Sequence, residues 1–275
     1  MTVDDLPAWS EPFHRSDLGA APSLDLPQSI TREWAYGDRS GAGVRVAIID
    51  SGIDETHPAV GPVSAAVAVT VDDDGDVTVV EGPHEDLYGH GTACAAIVRE
   101  LAPTAELVSV RVLGRNLKGS AIAFAAGVEW CLEHDVDIAN LSLSTTNVAH
   151  ARTFYELVDA SAFRRMLLVS AMSNERKRSI PSEFAGVFSV ACGPGTDRER
   201  FWCNPDGPAD WAAAGLDVEV AWGAGASIRA SGNSFAAPVI AGHLARLRST
   251  RPDLTPWQAR TVLAALAVNA PTAAP

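Results

Sequence analysis

The chain has 275 residues, 47% of them hydrophobic and 20% charged, and a formal net charge of −13. That length buries one large core, while the acidic balance argues against nucleic acid or an anionic membrane as partner, because phosphate groups reward clustered Lys and Arg. No apolar run reaches the roughly 18 residues of a membrane-spanning helix, and Cys94, Cys131, Cys192 and Cys203 do not form the paired array of a zinc site.

Residues 1–27, with Pro7, Pro12, Pro22 and Pro27, read as an irregular arm. The first ten residues offer neither the basic start nor the apolar core of a signal peptide, so the expectation is a cytoplasmic protein with reduced thiols. An apolar strand is predicted over 44–49. Residues 67–80 read as a β-hairpin around the Asp-Gly turn of Asp72-Asp-Asp-Gly75-Asp76. This acidic run fails the EF-hand pattern, because Pro83 falls where the bidentate Glu belongs. A helix over 91–99 is followed by a strand over 106–112, a helix over 120–134, a strand over 137–143 and a helix over 149–163. Strands over 166–171 and 187–192 come next, then helices over 234–249 and 255–268. Thr255 as N-cap, with Pro256 in the first turn, announces the last of these. Apolar strands separated by helices predict an α/β domain whose mostly parallel sheet is covered on both faces. Residues 269–275 read as a frayed tail.

Three stretches carry chemistry. Val46-Ala-Ile-Ile-Asp50-Ser-Gly-Ile-Asp54 ends an apolar strand on an aspartate, Tyr88-Gly-His90-Gly-Thr92 starts a helix with a histidine between glycines, and Gly232-Asn-Ser234-Phe-Ala-Ala-Pro238 opens a helix with a serine. A serine hydroxyl is a poor nucleophile unless a neutral imidazole takes its proton, and a carboxylate behind the imidazole fixes its tautomer and stabilises the imidazolium. Each motif alone has a plainer reading, since serine is a common N-cap and a histidine between glycines is usually a loop residue. Together, in the order Asp, His, Ser and 40 and 144 residues apart, they follow the subtilisin type of triad. His14, His57, His84, His134, His150 and His243 lack such flanks and read as surface or structural residues.

On these motifs the chain resembles the subtilases, the subtilisin-like serine proteases, over roughly residues 28–268. The resemblance implies a subtilisin-like three-layer α/β/α catalytic domain spanning 28–268, between the arm of 1–27 and the tail of 269–275. It implies peptide-bond hydrolysis with Asp50 as orienter, His90 as base and Ser234 as nucleophile, without metal or cofactor. It also implies an oxyanion donor in Asn174, at the end of Met166-Leu-Leu-Val-Ser170-Ala-Met-Ser-Asn174. Ser173 and Asn233 depart from the family's usual glycine and threonine, at positions that set backbone geometry or a secondary oxyanion contact. Cys94, one helical turn after His90, resembles the cysteine that the proteinase K branch carries beneath its histidine; a small apolar filler is the alternative. Ala59 stands where many subtilases place an aspartate on calcium, and the stretch from His90 to Pro103 has no inserted loop, so no calcium site is expected.

Ser142-Leu143-Ser144-Thr145 takes the place of the family's Ser-Leu-Gly-Gly edge, on which a substrate lies as an added strand. Ser142, Leu143, Ser144, Thr145 and Glu175 are therefore the predicted substrate-binding residues, with side chains at 144 and 145 narrowing the groove. The run Glu175-Arg-Lys-Arg178 is either a solvated charge run or a cationic rim favouring an acidic substrate residue. The resulting expectation is a selective cytoplasmic processing endopeptidase acting on a peptide or protein, such as a precursor or leader peptide, with neither nucleic acid nor membrane as partner. With only residues 1–27 ahead of the domain, no counterpart of the long prodomain of secreted subtilases is expected. Two other readings stay open: a catalytically impaired peptide-binding or scaffolding protein, and a peptide ligase or cyclase on the same fold.

Overall fold

The computed structural model describes residues 27, 29–38, 40–204 and 206–271. The chain divides into two units between Ile30 and Thr31, and all elements below belong to the second. Apart from Pro27, the expected arm of residues 1–27 lies outside the described residues.

Nine strands form one sheet: β1 (Arg45–Asp50), β2 (Val63–Val71), β3 (Val77–Glu81), β4 (Glu106–Arg111), β5 (Ile138–Leu141), β6 (Leu167–Ala171), β7 (Phe188–Cys192), β8 (Phe201–Cys203) and β9 (Trp211–Ala213). Their order is β3-β2-β4-β1-β5-β6-β7-β9-β8. All neighbours are parallel except the hairpin β2–β3 and the edge pair β8–β9. Val46 to Asp50 are buried without exception, as a strand covered on both faces requires.

The helices are α1 (Arg32–Tyr36), α2 (His90–Leu101), α3 (Ala121–Glu133), α4 (Ala151–Phe163), α5 (Asn233–Thr250) and α6 (Pro256–Leu266). Strand periodicity sorts them into layers. Ala47 and Ile49 of β1 join Val108 and Val110 of β4 in a cluster with Phe124, Val128 and Cys131 of α3. Val46 and Ile48, equally buried, point the other way, toward the layer in which α2 and α5 pack on each other and on β1. The result is the expected three-layer α/β/α arrangement. The predicted start of the last helix is realised as a capping box: Gln258 N donates to Thr255 Oγ1 at 3.3 Å and Thr255 N to Gln258 Oε1 at 2.9 Å.

The elements depart from expectation in a few places. The strand predicted over 137–143 ends at Leu141, because Ser142 turns toward Ser234 and Thr145 makes a bridge to Ile180. A second hairpin, β10 (Val218–Trp222) with β11 (Ala226–Ala230), was not anticipated. Its alternating Val218-Glu-Val220 and its Gly223-Ala-Gly225 turn were a readable signal. The tail is tethered at its start. Asn269 Oδ1 accepts from Cys203 N at 2.9 Å and its Nδ2 donates to Cys203 O at 2.6 Å; residues 272–275 lie outside the described residues.

Candidate active site

Asp50 ends β1, fully buried, at the C-terminal edge of the sheet where open α/β folds gather their ligands. One carboxylate oxygen accepts from Ser51 N at 2.7 Å. His90 opens α2, and its Nδ1 lies 2.9 and 2.8 Å from the two Asp50 oxygens. This closeness requires glycine at 91, because a Cβ there would stand 2.0 Å from Gly52 O and 3.2 Å from Asp50 Cβ. Gly89, at φ +104°, turns the chain into the helix. Ser234 Oγ lies 3.0 Å from His90 Nε2. With Nδ1–H donating to Asp50, Nε2 presents its lone pair to the Ser234 hydroxyl.

Electrostatics acts on His90 in two directions. Burial, the largest single influence, disfavours its charged form, yet the charge and hydrogen bond of Asp50, together with the neighbouring Cys94, hold the imidazole well above its ordinary value of 6.5. Cys94 lies beneath the pair, with Sγ 3.9 Å from both His90 Nδ1 and Asp50 Oδ2. Burial raises its own pKa, so it is a thiol at neutral pH. Asp50, His90 and Cys94 bring their donor atoms within 4.8 Å of one another. They suit a cation poorly, because His90 Nδ1 and Asp50 already serve each other and burial keeps the thiol from becoming the thiolate a metal takes.

Pro238 explains how Ser234 is held from behind. It has no N–H to donate to the carbonyl four residues earlier. The Ser234 carbonyl therefore accepts from Ser142 Oγ at 2.9 Å, while Asn140 Nδ2 and Cys94 Sγ approach the same hydroxyl at 2.9 and 3.2 Å. Ser142 is thus buried and holds Ser234 from behind, while it also borders the cavity beside it. Thr145 departs from expectation. Its N–H donates to Ile180 O at 2.8 Å and its carbonyl accepts from Ile180 N at 2.9 Å, so its backbone is closed to a substrate strand and its side chain lies outside the cavity beside Ser234. That cavity, of about 280 Å³, is lined by Ser142, Leu143, Ser144, Asn174, Glu175 and Ser234 among others.

Asn174 follows β6. Its Oδ1 accepts from Asn233 N at 2.9 Å. A side chain at Gly232 would meet Ser234 Oγ at 3.1 Å and Asn174 Nδ2 at 3.6 Å, so glycine keeps open the space that both groups border. The cationic rim is largely neutralised: Lys177 pairs with Glu175 at 2.5 Å and Arg178 with Glu183 at 2.7 Å.

Asp86 went unnoticed in the sequence. Its Oδ1 accepts from Ser51 Oγ, Tyr88 N and Gly89 N, and its Oδ2 from Thr92 N and Thr92 Oγ1. It ties the loop after Asp50 to the start of α2. An acidic residue four positions before a helix whose first amides lack intrahelical partners was the available signal. The other described histidines sit outside this site. His57 bonds Ala226 O, His84 bonds Ser109, His134 stacks on Trp130, and burial pushes His243 down to about 3.

The profile of the Subtilase family matches residues 41–274. The chain belongs to the subtilase family. It is 29% identical to the thermostable alkaline protease of Halalkalibacterium halodurans over 231 residues, 80% of this chain and 61% of that one. It is 29% identical to subtilisin Savinase of Lederbergia lenta over 253 residues, 86% of this subtilase and 90% of the relative. The crystal structure of a cold-adapted subtilisin-like serine proteinase superposes with a TM-score of 0.67 at 21% identity, covering 86% of this chain and 94% of that one. The subtilisin-like fold is thereby shown.

Proposed function

We propose that this subtilase is a serine endopeptidase whose nucleophile is Ser234. The observation that carries the reading is the unbroken relay from Asp50 through His90 to Ser234, with 2.8 and 3.0 Å steps. Ser234 Oγ attacks the scissile carbonyl as His90 Nε2 takes its proton; Asp50 holds the imidazole and stabilises its charge; His90 then returns the proton to the leaving amine. The oxyanion forms beside Gly232, where Asn174 Nδ2 and the N–H of Ser234 at the open end of α5 are the donors.

The finer reading is a selective processing protease of the cytoplasm that cleaves a precursor or leader peptide. Ser144 stands in the cavity where the family has glycine, and the closed backbone of Thr145 shortens the edge on which a substrate strand pairs. Four free cysteines accord with a reducing compartment. The test is hydrolysis of a peptide by Ser234→Ala, His90→Ala and Asp50→Asn. Each is expected to lose most activity, about 10⁴–10⁶-fold in kcat as measured in subtilisin itself, with double variants hardly worse than singles. Full activity in Ser234→Ala overturns the assignment.

A further inference from the structure

We propose that Asn233 is a positioning residue that fixes the oxyanion loop of residues 172–174, an inference resting on the triad and oxyanion reading above. Its side-chain amide is fully engaged with backbone. Oδ1 accepts from Cys192 N at 2.8 Å, and Nδ2 donates to Met172 O at 3.1 Å and Ser173 O at 3.2 Å. One N–H on one side and two carbonyls on the other permit one orientation, because a flipped amide would set oxygen against oxygen. Both amide hydrogens are used, so the side chain has no donor left for an oxyanion.

The backbone of Asn233 completes the clamp. Its N–H donates to Asn174 Oδ1 at 2.9 Å, which leaves Asn174 Nδ2 on the Gly232 side, where Ser234 Oγ also lies. Cys192 ends β7 and Asn233 begins α5, so a single residue joins strand, helix and loop around the reacting carbonyl's place. Asn174 is itself exposed, and without the clamp its amide would sample rotamers that miss the oxyanion.

The two departures from the family pattern meet through the backbone of residue 173. Ser173, where glycine is usual, bonds Ser179 Oγ through its N–H at 2.8 Å and receives Glu175 N on its own hydroxyl at 3.2 Å. Its carbonyl and that of Met172 are both taken by Asn233. A threonine at 233 would donate one hydrogen bond where asparagine donates two. Asn233 therefore supplies the loop with a second anchor that the family's usual residue lacks.

The test is a double-mutant cycle of Asn233→Ala and Asn233→Ser with Asn174→Ala, reading kcat and KM separately on one peptide, with melting temperature as the check on folding. Each Asn233 variant is expected to lower kcat by about 10²-fold, the scale of a reacting group misplaced by about 1 Å, at nearly constant KM. In the Asn174→Ala background the same substitution is expected to cost less than about threefold, because its effect passes through Asn174. An equal fall in both backgrounds, or a loss carried by KM, overturns the proposal. If Asn233→Ala does not fold, Asn233→Ser, too short to reach both carbonyls, decides by the same criteria. Retained hydrolysis in Ser234→Ala would instead overturn the triad reading, so the two failures are distinguishable.

Discussion

His90 shows how one side chain ties activity and stability to pH with opposite sense. As general base it must be neutral, and the Asp50 carboxylate raises its pKa well above 6.5 against the opposing pull of burial. The acid limb of kcat/KM is therefore expected above pH 6.5, with activity climbing as His90 loses its proton. In stability the sign reverses. A pKa raised on folding favours the charged form in the native state, so this contribution is full below the unfolded value of about 6.5 and is lost as pH rises through the folded value. The melting-temperature advantage of wild type over His90→Gln should shrink across that window. An acid limb at or below 6.5 would contradict the account. The residue types and order of Asp50, His90 and Ser234 were legible because their chemistry allows few substitutes. Asp86 was not, nor were the specific partners of Ser142 and Asn233, because accepting from or donating to backbone is work that many polar residues in many places do.

The loop after β5 is the element that most changes the expected substrate edge. Ser144 lines the cavity beside Ser234, whereas Thr145 pairs with Ile180 and does not line it. Ser144→Gly alone is therefore expected to widen the specificity found in a peptide library, while Thr145→Gly leaves it nearly unchanged. The available discrimination is a few kcal/mol, roughly tenfold in rate per 1.4 kcal/mol. A broad wild-type profile that Ser144→Gly does not alter would refute the role of this loop. Long elements were legible from periodicity and caps, as the Thr255 N-cap and the hairpin at Gly75 show. Shorter ones were less so. α1 spans five residues and β8 and β9 three each, too few for a period to repeat. Thr145 was misplaced because its partner, Ile180, is 35 positions away and nothing local announces the pairing.

At the scale of the whole molecule, the sheet order brings distant segments to one edge. β1, β5 and β6 are parallel neighbours, so Asp50, Ser142 and Asn174 leave the sheet at the same end, and α2 and α5 dock there with His90 and Ser234 at their N-termini. The alternation of strands and helices was readable, but the order β2-β4-β1-β5-β6-β7 was not, because apolar strands of similar length carry no mark of their neighbours. The central claim is that this assembled edge makes Ser234, alone among the described serines, a nucleophile. The most direct measurement is mass-spectrometric mapping of a fluorophosphonate adduct on the intact protein. The account predicts a single adduct on Ser234 that is lost in Ser234→Ala and strongly reduced in His90→Ala; an unlabelled wild type, or labelling that persists in Ser234→Ala, would contradict it.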